Sequence, residues 1–304
     1  MTYHQFLNYV KEQSVYQFDH PEDHQATINH VIKNNSVELD GICLHKKGEI
    51  LSPTVYLNDF YEEYLSGRSL PSILNEIVST LDEEAPPLHI PADLFDDYES
   101  VKPNIILRII NYEKNRKVLK NCPYLPFCDL AITFRWLVHH DDAGIASALI
   151  TNREFKKWGI RLEELYEIAI VNTMQLFPSR IRPIRNVLND YIHDQEFLTE
   201  LYSYAQSDID IYVLTNQNHI NGSTAMIYNQ ILSDFSARMK DDLYLLPSSI
   251  HEILLLPSHY CTNEEELLEL VHDANRTVVN EQDFLSDSIY RYDRHENRVI
   301  MIKQ

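Results

Sequence analysis

The chain has 304 residues, 44% of them hydrophobic and 24% charged, the proportions of a globular protein with room for one large domain or two modest ones and not of a fibrous or disordered chain. Its 26 Lys and Arg stand against 46 Asp and Glu, a net charge of −20, which repels nucleic-acid phosphates and anionic membrane surfaces and predicts no direct nucleic-acid binding. Acids and bases are interspersed along both halves, so the excess reads as surface solubility and not as an acidic tail.

Met1 to Phe6 carries no basic region, and Glu12 interrupts it before an apolar segment of signal length can form. The apolar run Ile253 to Leu256 is far shorter than the roughly 20 residues a membrane-spanning helix needs. A cytoplasmic protein without a membrane segment is the expectation. Cys43, Cys122, Cys128 and Cys261 are too sparse for a disulfide scaffold and form no C-x-x-C pair. They are expected as free thiols, with no metal and no cofactor. The chain has only 6 Gly, and no G-x-G-x-x-G or phosphate loop is present.

Thr2 with Gln5 three residues on is a capping box, and Phe6, Tyr9 and Val10 follow on one face of a first helix. The polar stretch Asp19 to Asn35 reads as loop. Val37 to His45 and Ile50 to Tyr56 read as a hairpin around Lys46 to Glu49. Asn58 or Asp59 is placed to cap a helix that ends at Gly67, and Leu70 to Leu81 makes another. Asp82 to Pro87, acids followed by two prolines, reads as a linker.

Beyond it come a strand at Ile105 to Ile110, a basic helix at Tyr112 to Leu119, and strands Leu130 to Val138 and Ile145 to Thr151 around His139 to Gly144. An amphipathic helix at Arg161 to Leu176 and a helical connector at Pro183 to Gln206 follow. The last third reads as strand Ile209 to Leu214, an Asn-rich turn Asn216 to Gly222 and helix Ser223 to Arg238. Strands Leu243 to Leu246 and Ile250 to Leu256, helix Asn263 to Val278 and strand Ile289 to Tyr292 complete it. The expected fold is therefore α+β, with antiparallel sheets built from repeated helix–hairpin–helix units and helices packed on the sheet faces. Its expected divisions are 1–87, 88–206 and 207–304, the last two as one packed body.

Leu246 to Glu252 places Ser248, Ser249, His251 and Glu252 at a tight turn, the group types that a nucleophile and its base require. No G-x-S-x-G elbow surrounds either serine, and such a turn also uses Ser to bond its own backbone. Arg180, Arg182 and Arg185 flank a proline-fixed bend that could hold a phosphate or carboxylate, or pair with Asp190 and Asp194. Asn216 is a further ligand-binding candidate. His139-His140-Asp141-Asp142 is dense in metal-ligand types, yet neighbouring histidines on a strand point apart. His20, His24 and His30 lack the spacing of a zinc signature.

Val37 to Gly41, Thr54 to Asn58, Ile110-Asn111, Asp129-Leu130-Ala131, Trp158 before Glu163 to Tyr166, Val213 to Asn216, Gly222 and Leu285-Ser286-Asp287 before Tyr290 to Asp293 together resemble the markers of an uncharacterised bacterial family, catalogued as a domain of unknown function. From about Asp129 onward the chain is also similar, more distantly, to a second uncharacterised family of bacterial cytosolic proteins. Neither resemblance implies an activity.

The leading functional expectation is a non-catalytic interaction or binding protein, with a protein partner that could be basic and an oligomeric state left open. Its 32 aromatic residues, 19 Tyr, 11 Phe and 2 Trp, could supply contact surface. Two alternatives stand beside it: a hydrolase using Ser249, His251 and Glu252 with Asn216 or Arg182 in support, and an acidic nucleic-acid mimic bound to a basic protein.

Overall fold

A computed structural model of the chain describes residues 1–18, 20–46, 54–83, 95, 97–141, 144–192 and 210–303. The fold is α+β, and the chain divides into two compact units, Met1–Leu94 and Phe95–Gln304.

The first unit opens on the helix Tyr3–Ser14, started by the Thr2 and Gln5 capping box. Its sheet is an antiparallel trio, β1 (His24–Ile32), β2 (Glu38–Lys46) and β3 (Thr54–Tyr56), in the order β1-β2-β3. The polar stretch expected as loop is thus largely β1. Alternation explains the correction: Ala26 and Ile28 pack inward opposite Leu44 and Ile42, while Gln25 and Asn29 on the other face are exposed. His24 and His30 lie on this strand, and His30 Nδ1 meets Asp40 at 3.0 Å. The helices Tyr3–Ser14 and Leu70–Glu83 bury Phe6, Val10, Ile73 and Ile77 in the same core. Neither Asn58 nor Asp59 caps the helix Asn58–Leu65; Leu57 takes that place, and Asn58 Oδ1 accepts the Asp40 N–H at 3.0 Å. The expected hairpin turn at 47–49 and most of the expected linker lie outside the described residues.

The second unit holds two sheets. The central one pairs β4 (Ile105–Asn111) with the long β6 (Leu130–Asp141), and β5 (Tyr124–Phe127) and β7 (Gly144–Leu149) pair with successive parts of β6. The free edge of β4 is closed by two hydroxyls: Leu107 N–H donates to Thr173 Oγ1 at 2.8 Å and Ile109 N–H to Thr224 Oγ1 at 3.4 Å. Both bonds are buried, so neither edge donor is left orphaned. Thr173 stands on the helix Leu162–Leu176.

The larger sheet contains β8 (Ser179–Pro183), β9 (Tyr212–Asn216), β10 (Leu243–Pro247), β11 (Ile253–Pro257), β12 (Ile289–Asp293) and β13 (Arg298–Lys303). They run antiparallel in the order β13-β12-β10-β11-β9-β8. Register puts Leu214, Leu243, Leu245, Tyr290 and Tyr292 on one face, all fully buried. The helix Glu264–Thr277, capped by Asn263 accepting the Glu265 N–H, packs Leu267 and Val271 against Tyr244, Leu246 and Leu256 on the other.

Several expectations change here. The bend at Arg180 to Pro183 is the edge strand β8, where a proline at the end removes no needed donor. Only Ile184–Tyr191 of the expected connector is a described helix, and residues 193–206 lie outside the described residues. The basic helix shrinks to Arg116–Leu119. The expected helix from Ser223 begins as a tight 3-10 turn, Gly222–Ile227, whose six residues are all buried, before Asn229–Met239 continues as α-helix. With β8 formed just before the connector and β13 added at the end, the strands among the described residues fall into sheets of three, four and six, so the repeated helix–hairpin–helix scheme does not describe how the strands are shared.

Asp129, just before β6, bonds the segment that leads into β12. Asp129 Oδ2 accepts from Ser286 Oγ at 2.6 Å and Ser288 Oγ at 3.0 Å, and Oδ1 accepts from Tyr290 OH at 2.5 Å. Burial, then the Asp129 charge, raises the Tyr290 phenol well above its ordinary pKa and keeps it a donor. No helix among the described residues is long and apolar enough to cross a membrane.

Candidate functional site

The residues singled out in the sequence gather where β9 ends and β11 begins. Asn216 is the last residue of β9, and its amide closes the following turn on itself: Oδ1 accepts the N–H groups of Asn218 (3.1 Å) and Ile220 (3.3 Å), and Nδ2 donates to Ile220 O (2.7 Å). His219 and Asn221 adopt positive φ, 56° and 53°, within this turn. Gly222 follows where no side chain fits: a Cβ would press on Thr215 Oγ1 and lie 2.5 Å from His251 O and 2.8 Å from Asn216 N.

The 248–252 turn is stitched to the same place. Thr215 Oγ1 donates to His251 O at 2.8 Å, and Ser223 Oγ to Ile250 O at 2.6 Å. His251 Nδ1 accepts the Asn221 backbone N–H at 3.2 Å. That bond assigns the ring proton to Nε2, which faces Asp283 Oδ1 at 3.3 Å. Ser249 Oγ accepts the backbone N–H of His251 at 3.0 Å, and Ser248 Oγ donates to Glu252 Oε1 at 3.2 Å. Ser249, His251 and Glu252 therefore come together, yet both imidazole nitrogens are engaged by other groups and neither serine hydroxyl bonds the ring. The Ser249 hydroxyl orders the turn's backbone, and the Ser248 hydroxyl holds the Glu252 carboxylate.

Arg180 and Arg182 leave the same face of β8, and both charges act on His219 and Asp190; Arg180 Nε is buried with no hydrogen-bond partner among the described residues. Arg180 Nη2 meets His219 Nε2, and burial followed by the Arg180 charge holds the His219 pKa below its ordinary value, so that nitrogen stays an acceptor. Arg182 pairs with Asp190 at 2.5 Å and donates to Asn186 O at 3.2 Å. Arg185 is exposed on the Ile184–Tyr191 helix. His140 Nε2 lies 2.9 Å from Asn218 Nδ2, and its ring packs edge-on against Phe177 at 5.0 Å. No group of three His, Cys, Asp or Glu residues among the described ones could hold a metal ion.

The most informative charges were passed over in the sequence. Arg108 interrupts an otherwise apolar strand, Ile105-Ile106-Leu107-Arg108-Ile109-Ile110, and Arg135 sits between Phe134 and Trp136. Arg108 pairs with Thr133 across the ladder and Ile106 with Arg135, so both arginines leave one face of the central sheet as diagonal neighbours. Arg135 Nε donates to Ser147 Oγ at 2.9 Å and Nη2 to Ser147 O at 2.8 Å. Arg108 Nε is buried and has no hydrogen-bond partner among the described residues. Burial pulls the Arg108 pKa down to about 9; Arg135 adds to the fall and Asp283 opposes it. Burial lowers Arg135 as well.

Both arginines line a small cavity of about 10 Å³, walled by Ile106, Ile145 and Phe177 and bounded by the turn that carries Asn216, Asn221 and Gly222. The chemistry available there is attraction of negative charge into a largely apolar enclosure. A charged residue in the middle of an apolar strand was the signal that could have found it.

The family model described as a family of unknown function (DUF5688) matches residues 3–294. No curated protein and no solved structure matches the chain.

Proposed function

The chain belongs to the DUF5688 family of unknown function, and on that premise we propose that it is a non-catalytic binding protein of the cytoplasm, which takes up an anionic ligand at Arg108 and Arg135. One observation carries the reading: the half-buried Arg108, whose Nε is buried and has no partner among the described residues, stands beside the half-buried Arg135 on one sheet face. Leaving a buried donor unpaired costs about 1–3 kcal/mol, and more where the group is charged, so a fold that keeps this arrangement gains by receiving an acceptor. Asp283 is the acid whose charge favours protonated Arg108, but it forms no ion pair with it and instead faces His251 at 3.3 Å. The free thiols of Cys43, Cys122, Cys128 and Cys261 fit a reducing compartment.

The hydrolase reading draws less support, because the ring of His251 is held between Asn221 and Asp283 and not by a serine. Titration calorimetry with small anions at constant ionic strength tests the proposal. Heat that saturates for at least one anion with the natural protein, and falls at least tenfold in affinity for Arg108→Gln, is the expected outcome. Chloride, acetate, phosphate and sulfate all giving no saturable heat would overturn it.

A further inference from the structure

The size and lining of the Arg108–Arg135 cavity narrow the anion, an inference that rests on the reading just given. The space is about 10 Å³, room for the centre of one water-sized atom. A phosphate or sulfate brings four oxygens around a central atom, and seating it would require Ile106, Ile145 and Phe177 to move apart. Besides the two guanidinium groups the lining's polar side chains are Thr173, Thr224, Tyr228, Asn216 and Asn221; Thr173 Oγ1 already donates to Ala169 O and the Asn216 amide to its own turn, so little replaces the water that a doubly charged oxyanion sheds, and the cost of shedding it rises steeply with charge. A large, singly charged, weakly hydrated ion loses least on entering such a place.

The donors suit one spherical acceptor. Arg108 presents an unpartnered Nε, and Arg135 spends its Nε and Nη2 on Ser147 while a guanidinium carries five N–H donors in all. Both project from the same sheet face, so an ion between them lowers their mutual repulsion and meets a net positive field. The turn that bounds the cavity is itself pinned, by Asn216 on its own backbone and by Asn221 N–H on His251, which favours a fixed aperture over an adaptable one.

We propose that this cavity is a halide site, holding a single chloride between the guanidinium groups of Arg108 and Arg135 beneath the 216–222 turn. The bound ion acts as a counter-ion to the two half-buried arginines, so chloride concentration sets the stability of the second unit.

The test uses the full chain in gluconate buffer at constant ionic strength, with chloride or bromide added in exchange for gluconate. The melting temperature is expected to rise with halide and to keep rising by an equal step per tenfold concentration once the site fills, as linkage to the folded state requires. Arg108→Gln is expected to flatten that rise. Crystals of the natural protein soaked in bromide give a reading independent of whether the variant folds: an anomalous peak between the two guanidinium groups supports the site, and bromide found only elsewhere overturns it. A melting shift that follows ionic strength alone also overturns it. If phosphate binds at the arginines and halide does not, the halide inference fails while the anion-binding proposal stands; if no anion binds, both fail.

Discussion

The two units solve the same packing problem with different interiors. The first buries a nearly all-apolar core, Phe6, Val10, Ile42, Ile73 and Ile77 among it, and its buried polar residues among the described ones are Ser14 and Asn35. Its ion pairs, such as Arg68 with Glu63 and Glu76, sit at the surface. The second unit also has apolar sheet faces, but it threads them with polar groups whose partners are far away in sequence: Asp129 with Ser286, Ser288 and Tyr290, and Asn111 Nδ2 with Leu285 O at 3.0 Å. An apolar core tolerates rearrangement and mainly supplies stability. A buried polar network permits fewer alternatives, since each misplaced partner leaves an unsatisfied group. The second unit is accordingly where a defined, charged cavity can be held in shape.

That contrast makes quantitative demands. Asp129→Ala removes the acceptor of three hydroxyls at once and is expected to destabilise the second unit by about 4 kcal/mol, at roughly 1–3 kcal/mol for each buried group left unpaired. Calorimetric unfolding checks it, and a loss below about 1 kcal/mol would mean that the carboxylate is not what holds the segment leading into β12. Ile42→Ala is expected to cost about 3 kcal/mol through its cavity while leaving anion binding by the second unit unchanged in titration. A parallel loss of binding would break the division between a stabilising unit and a binding one.

Gly222→Ala is smaller in volume but placed where three atoms leave no room, and it is expected to cost about 2 kcal/mol, within the usual range for overpacking. It should also weaken anion affinity, because the turn bounding the cavity must shift. Arg68→Ala, which removes a surface pair from the first unit, is expected to change stability by less than about 1 kcal/mol.

The subtlest effect is in acid. Asp241 receives hydrogen bonds from Ser258 Oγ at 2.6 Å and from the backbone and ring of His259 at 2.8 Å. Burial acts upward on its pKa but is outweighed by these bonds, which hold it below the ordinary carboxylate value. A group depressed in the folded state stabilises it above the unfolded pKa, near 3.9, and loses that contribution as pH falls through the lower folded value. The stability difference between the natural protein and Asp241→Asn is therefore expected to be constant from neutral pH to about pH 5 and to shrink below about pH 4.

Local rules were enough for a good part of the fold. The Thr2 and Gln5 box, the helices at 70–83 and 162–176, the Asn263 cap, and the hairpin of β10 and β11 depend on neighbours within a few residues, and their periodicity shows in the chain. β1 was hidden because half of its residues face solvent and include histidines and asparagine, so composition suggested a loop. β8 and β13 were hidden for a related reason: edge strands of a large sheet need little apolar character of their own, and their pairing partners lie elsewhere in the sequence. Of the site, Asn216, Gly222, Ser249 and His251 were legible as a cluster of polar residues near turns. Their shared location was not, since it depends on β9 and β11 being neighbours in the sheet.

By itself the sequence determined an acidic α+β protein with free thiols, the positions of its main helices and hairpins, and its membership of one family, because composition, periodicity and capping act over short distances along the chain. Only the tertiary structure decided which charges matter. Arg108 and Arg135 are ordinary residues in the chain, and they become the proposed site because the β4–β6 register sets them as diagonal neighbours on one face and burial leaves Arg108 Nε without a partner among the described residues. Conversely, Ser249 and His251 have the composition of a catalytic pair, and the folded chain brings Asn221 and Asp283 to the imidazole instead of a serine.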